Sequence, residues 1–124
     1  MLVFTNFISK LQNAARRKQT IVHFPYSKLC HDIAQLLKNE GLIKRVEVHS
    51  VTKVPTLWIV LKYQKDIPLI ERIQQYSTCG HSIFWRLSDF PTSGFYLLST
   101  SKGILSKKAA FQHQVGGQVL CRVF

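Results

Sequence analysis

This chain of 124 residues sets 17 Lys and Arg against 6 Asp and Glu, for a net charge of +11 and a pI near 10.0. Such an excess repels itself in the folded state and persists where a polyanion neutralises it, which places nucleic acid ahead of an anionic membrane surface as partner. Hydrophobic residues at 46% exclude a disordered chain, and no apolar run approaches the roughly 18 residues of a membrane span.

The length suits one domain or two very small ones sharing a core. In chain order, residues 5–19 put Phe7, Ile8, Leu11 and Ala15 on one helical face, with Thr5 or Asn6 as the expected cap. Residues 20–24 are β-branched and short, a strand closed by Pro25. Residues 27–41 form the clearest helix: Ser27 caps it, Leu29, Ile33, Leu36 and Leu37 make its apolar stripe, and Gly41 ends it. Residues 44–51 alternate and 56–63 are denser in apolar residues, so they read as an antiparallel pair. The order α-β-α-β-β suits two helices on one face of a small sheet.

The polar stretch 64–68, with Pro68, reads as a boundary, giving an N-terminal unit over 1–65 and a C-terminal unit over 66–124. The second unit is strand-rich. Residues 67–76 allow either period, 78–82 read as a turn, 83–87 as a strand, 89–94 as a loop and 95–100 as a strand. The stretch Ser99-Thr100-Ser101-Lys102-Gly103 reads as a polar loop leading toward a short helix over 106–113 capped by Ser106. Residues 115–117 turn the chain, and 118–124 close it as a strand. The fold class is therefore α/β of the α+β kind: a sheet with two helices, then a strand-rich unit with one short helix.

Catalytic and metal-binding patterns are scarce. The five histidines are dispersed, none of the six carboxylates is adjacent to another, and neither a nucleophile elbow nor an H-E-x-x-H pattern occurs. Position 96, where a P-loop ending at Lys102 needs glycine, holds Tyr. No enzyme activity, metal or cofactor is expected; the competing enzyme reading needs acid–base residues of an RNA-modifying protein to converge only in the fold. Cys30, Cys79 and Cys121 are widely spaced with no C-x-x-C pair, which suits a reducing compartment, and Cys30 and Cys121 read as small hydrophobes.

Basic residues interleaved with hydrogen-bonding side chains are what a phosphate-tracking surface needs. The first 31 residues hold five Lys or Arg and no carboxylate, a pattern shared by mitochondrial targeting segments and by basic helices of a mature fold, the second being the simpler reading. Arg16, Arg17 and Lys18 cluster at the end of the first helix, where cations also suit the helix dipole. After Asp89 the last 35 residues contain no carboxylate but hold Lys102, Lys107, Lys108 and Arg122. The small residues Ser99, Thr100 and Ser101 would let backbone approach a sugar–phosphate edge, and their hydroxyls suit 2′-hydroxyls and base edges.

Several of these stretches together resemble one family. Pro25, Ser27, Lys28 and Leu29 at the entry to helix two, residues 36–43 and 61–63, then 99–105 and 115–124 are similar to the universal family of small-subunit ribosomal protein eight, in its bacterial and organellar form. The resemblance runs from about Ile8 to Phe124, and "STSKG" followed by "GG-x-VLC" is its most specific part. It implies a two-part α/β protein that binds the central domain of small-subunit ribosomal RNA, helps nucleate assembly there, and sits as a monomer among neighbouring small-subunit proteins, away from membranes. It implies RNA contacts at Ser99, Thr100, Ser101, Lys102, Gly103, Gly116 and Gly117, with a second RNA element facing Lys10, Asn13 and Lys28. Arg16, Arg17, Lys18, Ser27, Phe84, Lys107 and Lys108 complete the expected RNA-binding set. The chain departs from the family pattern at Gln12, at residues 77–82, at Phe84 in place of tyrosine and at Gln118 in place of an acid. Such erosion, with the acid-free N-terminal stretch, points to a mitochondrial ribosome, ahead of a plastid or a bacterial cytoplasm.

Overall fold

The computed structural model describes all residues except Met1, Thr52 and Cys79. Helix α1 (Leu2–Arg16) begins three residues ahead of the expected start. Phe4, fully buried, extends the stripe of Phe7, Ile8 and Leu11 back by one turn, so Thr5 and Asn6 lie inside the helix instead of capping it. The chain leaves α1 through Lys18, whose φ is +55°.

Strand β1 (Ile21–Pro25) follows, then α2 (Lys28–Asn39), whose local chemistry is as expected. Ser27 Oγ accepts the Cys30 N–H at 3.1 Å. Gly41, at φ +79°, turns the chain so that its own N–H reaches the Lys38 carbonyl and the Leu42 N–H that of Leu37. That reciprocal pair satisfies the last carbonyls of the helix. Strands β2 (Ile43–His49) and β3 (Thr56–Leu61) pair antiparallel, and β1 adds to the other side of β3, giving the order β1-β3-β2. Val22, Ile43, Leu57 and Ile59 face the buried stripes of α1 and α2, so both helices cover one side of this sheet.

The polar run 64–68 is a small hairpin: β4 (Tyr63–Gln64) pairs with β5 (Ile67–Pro68) across Lys65 and Asp66, which have φ of +52° and +64°. Two-residue strands are too short to leave a periodic signal, which is why only the turn chemistry was visible. The ambiguous stretch that follows contributes β6 (Ile73–Gln75).

The second sheet adds β7 (Phe84–Trp85), β8 (Phe95–Thr100), β9 (Gly103–Ser106) and β10 (Gly117–Val123), in the order β6-β10-β8-β9 with β7 also on β10. The expected strand over 83–87 is shorter because a 3-10 turn at Leu87–Asp89 interrupts it, the Arg86 N–H donating to Asp89 Oδ2 at 2.8 Å. Between β9 and β10 lies α3 (Lys107–His113), capped by Ser106, whose Oγ accepts the Ala109 N–H.

One hydrophobic cluster joins α1, α2 and the first sheet to Ile73, Leu97, Leu120, Cys121 and Val123 of the second. Gln12 and Thr5 of α1 reinforce that join: Gln12 Oε1 accepts the Ile73 N–H, and Thr5 Oγ1 accepts from Gln75 Nε2 at 2.9 Å. A smaller cluster of Phe90, Tyr96, Leu98, Ala110 and Val119 lies under α3 and the 86–94 segment.

Candidate nucleic-acid interface

The stretch 99–103 is the tip of a hairpin, not a loop leading into a helix. β8 and β9 pair antiparallel from Leu97↔Ser106 to Thr100↔Gly103, which leaves Ser101 and Lys102 as the exposed tip. Gly103 takes φ +99°, a region open to glycine at little cost. Thr100 Oγ1 donates to the Gly103 carbonyl at 2.8 Å and accepts the Lys102 N–H at 3.1 Å. The threonine hydroxyl therefore closes the turn, while Ser101 and Lys102 face solvent.

Glycines 116 and 117 carry a packing requirement. A Cβ on Gly117 would stand 2.4 Å from the Ser99 carbonyl oxygen and 3.0 Å from Thr100 Cγ2. One on Gly116 would stand 2.6 Å from the Trp85 carbonyl oxygen. The glycine pair thus lets β10 press directly against the base of the 99–103 hairpin on one side and against β7 on the other.

That approach assembles a row across the sheet. Phe84 of β7 pairs with Gln118 of β10, and Gln118 pairs with Ser99 of β8. Register partners project to the same side of a sheet. Phe84 is 71% exposed, so a free aromatic ring stands in line with Ser99 and the hairpin tip. Gln118 joins this group although it was outside the expected set; its Nε2 lies 3.3 Å from Ser82 Oγ. Its position directly after the glycine pair was the available signal.

The expected lysines of α3 separate. Lys108 is exposed, whereas Lys107 is half-buried and its Nζ donates to the Pro91 carbonyl at 2.6 Å. Its ammonium is thereby tied to the 86–94 segment. The remaining expected residues form a second group on other elements. Lys10 and Asn13 lie one turn apart on the exposed side of α1, Arg16 ends that helix, Arg17 and Lys18 follow it directly, and Lys28 opens α2. Lys10 Nζ lies 5.9 Å from the Phe24 ring centroid. Ser27 of this group spends its hydroxyl on capping α2.

The electrostatics are lopsided. Among the described residues no Lys or Arg pairs with a carboxylate, and the one basic–acidic side-chain contact is His49 to Glu47 at 3.4 Å. Lys107 and Arg122 have partners within the chain, the Pro91 carbonyl and the Tyr96 and Phe124 rings, but no carboxylate neutralises the cations. The buried thiols serve a different purpose: burial raises Cys30, and it pushes Cys121 up to about 12, so both stay protonated and pack as apolar groups. Cys79 lies outside the described residues.

A family model described as Ribosomal protein S8 matches residues 3–124. The small ribosomal subunit protein uS8 of Bordetella avium is 38% identical over 122 residues, covering 95% of this chain and 93% of that protein. The protein of the same name from Wigglesworthia glossinidia brevipalpis is 36% identical over 123 residues, covering 96% and 94%. That of Rhodospirillum centenum is 33% identical over 124 residues, again covering 96% and 94%. A match across nearly the whole sequence, on a fold with the helices and antiparallel sheets expected of it, places the identification beyond the motifs alone: the chain belongs to the Ribosomal protein S8 family.

Proposed function

We propose that this protein is a structural constituent of the small ribosomal subunit that binds the central domain of small-subunit ribosomal RNA and supports assembly there, with no catalytic role. The observation that carries the reading is the hairpin tip of Ser101 and Lys102, braced by Gly117 against Ser99 and flanked in register by exposed Phe84. Low charge at this tip suits a reader of RNA shape and edges, because sequence- and shape-specific contacts come from hydroxyls, backbone and stacking while lysines elsewhere attract phosphate. Lys10, Asn13, Arg16, Arg17, Lys18 and Lys28 form a second contact on α1 and α2. On this reading the units 1–65 and 66–124 each bring one of the two surfaces, and the protein acts as a monomer among neighbouring small-subunit proteins.

We further propose a mitochondrial ribosome as the setting, on the strength of the acid-free basic N-terminal stretch and the departures at Gln12, residues 77–82, Phe84 and Gln118. Co-sedimentation with small subunits from purified mitochondria supports that setting, and co-sedimentation only with plastid or bacterial subunits refutes it.

Binding of the purified protein to a central-domain rRNA fragment tests the function itself. With about 6–10 phosphate contacts, affinity should fall roughly 10³–10⁵-fold between 50 and 200 mM salt. Replacing Ser101 by Trp should erase the preference for cognate over random RNA. If selectivity survives that replacement, the hairpin tip is not the reader.

A further inference from the structure

The β1-β3-β2 sheet has a second face, turned away from α1 and α2, and its chemistry is not that of a solvated sheet. Alternation places Ile21 and His23 of β1, Trp58 and Val60 of β3, and Arg45 and His49 of β2 on this side. Ile21 is 41% exposed and Val51, in the loop after β2, is 89% exposed. His49 stacks on Trp58 with ring centroids 4.0 Å apart and planes 14° from parallel, and His23 meets the indole edge-on at 4.4 Å. Beside this ridge lies a notch of about 230 Å³ lined by His23, His49, Val51, Thr56 and Trp58. A shallow depression of about 560 Å³ at the other end is lined by Lys44, Val60, Lys62 and Tyr63 among others. Glu47, already held by His49, is the acid of this face.

We propose that this face docks a segment of another protein that is apolar at one end and acidic at the other. The apolar end fills the notch beside Trp58, and the carboxylates meet Lys44, Lys62 and Arg45. Exposed aliphatics concentrated around a Trp and an Arg are the composition of a protein interface, and the uncompensated cations supply the charge complementarity that orients the partner. RNA fits less well. Bases bind sheet faces by stacking on open aromatic surfaces, but here His49 already stacks on the Trp58 ring and His23 packs against it at 4.4 Å. The valine and isoleucine side chains offer a nucleotide nothing to pair with. The inference rests on the ribosomal reading only for the pool in which the partner is sought.

Photo-crosslinking of full-length protein inside assembled small subunits tests it, with p-benzoylphenylalanine replacing Val51 in one variant and Lys102 in another. A protein adduct at 51, mapped to a peptide rich in Asp or Glu, supports the proposal. An rRNA adduct at 51, an adduct to a peptide without acids, or none in subunits that contain the variant, overturns it. The variant at 102 reports separately on the function proposed above: an rRNA adduct there upholds RNA binding whatever happens at 51. Trp58→Thr provides a second readout. It should leave affinity for protein-free rRNA within twofold of the parent, yet lower incorporation at least tenfold when total small-subunit proteins compete. Equal incorporation refutes docking, and a matching loss on protein-free rRNA makes the face an RNA contact instead.

Discussion

Adding a single methyl group at residue 117 separates a packing glycine from one that merely lies near RNA. In Gly117→Ala the new Cβ falls 2.4 Å from the Ser99 carbonyl oxygen, 3.2 Å from its carbon and 3.0 Å from Thr100 Cγ2. Two of these three atoms are backbone of a paired strand, so no side-chain rotation relieves the contact. β8 and β10 must separate by up to about an ångström where Gln118 pairs with Ser99. Overpacking of this kind costs about 1–3 kcal/mol, and weakening one ladder hydrogen bond adds about 1 kcal/mol. For a chain of this size, 2–4 kcal/mol corresponds to a fall in Tm of roughly 6–20 °C. Gly41→Ala is the control, because its φ of +79° carries backbone strain but nothing lies within 4 Å of the added carbon. It should cost about 1 kcal/mol, from backbone strain alone. Thermal unfolding followed by circular dichroism measures both, and rRNA binding below the lower Tm tests whether displacing Ser99 disturbs the hairpin tip. If Gly117→Ala melts no lower than Gly41→Ala, β10 does not need the close approach and the bracing argument fails.

Three further outcomes follow from named contacts. Ser27→Ala removes the acceptor for the Cys30 N–H and should cost about 1 kcal/mol in urea unfolding; an unchanged midpoint would mean the cap is idle. Lys107→Ala and Lys108→Ala should part company: the exposed Lys108 should lower the salt slope of RNA binding by about one, whereas Lys107, tied to the Pro91 carbonyl, should lower stability by up to about 1 kcal/mol. Equal effects on both readouts would contradict that division. The third concerns alkaline stability. Below the ordinary cysteine value of 9.0 both folded and unfolded Cys121 hold their proton; above it the unfolded chain ionises while the folded thiol, at about 12, does not. Stability should therefore decline between pH 9 and 12 by up to about 1.4 kcal/mol per unit from this group, and the slope should be shallower in Cys121→Ala. Identical slopes would show that the buried thiol contributes nothing.

The polar 99–103 stretch, the glycine pair and the basic helix each stood out locally, but to different depths. Ser27 and Ser106 as caps, Gly41 as terminator and the α2 stripe rest on contacts within a few residues, so the linear pattern contained them. The start of α1 slipped because Thr5 and Asn6 look like caps, and only the burial of Phe4 against the finished core outweighs that preference. β9 was missed because four residues beginning with glycine carry no period of their own and become a strand only by pairing with β8.

The sequence by itself determined the charge excess, the three helices, most strands of both sheets and the family motifs, since all depend on residue type and short spacing. Only the tertiary structure decided what those residues do to one another. It turned the polar 99–103 stretch into a hairpin tip, made the glycines a clearance for β10, and set Phe84 and Gln118 in line with Ser99 across β10. It committed Lys107 while leaving Lys108 open. It also left Trp58, with His23 and His49 against its ring, on an uncovered sheet face. Each of these relations joins residues that lie far apart in the chain, and register and close packing, which bring them together, exist only once the sheets have formed.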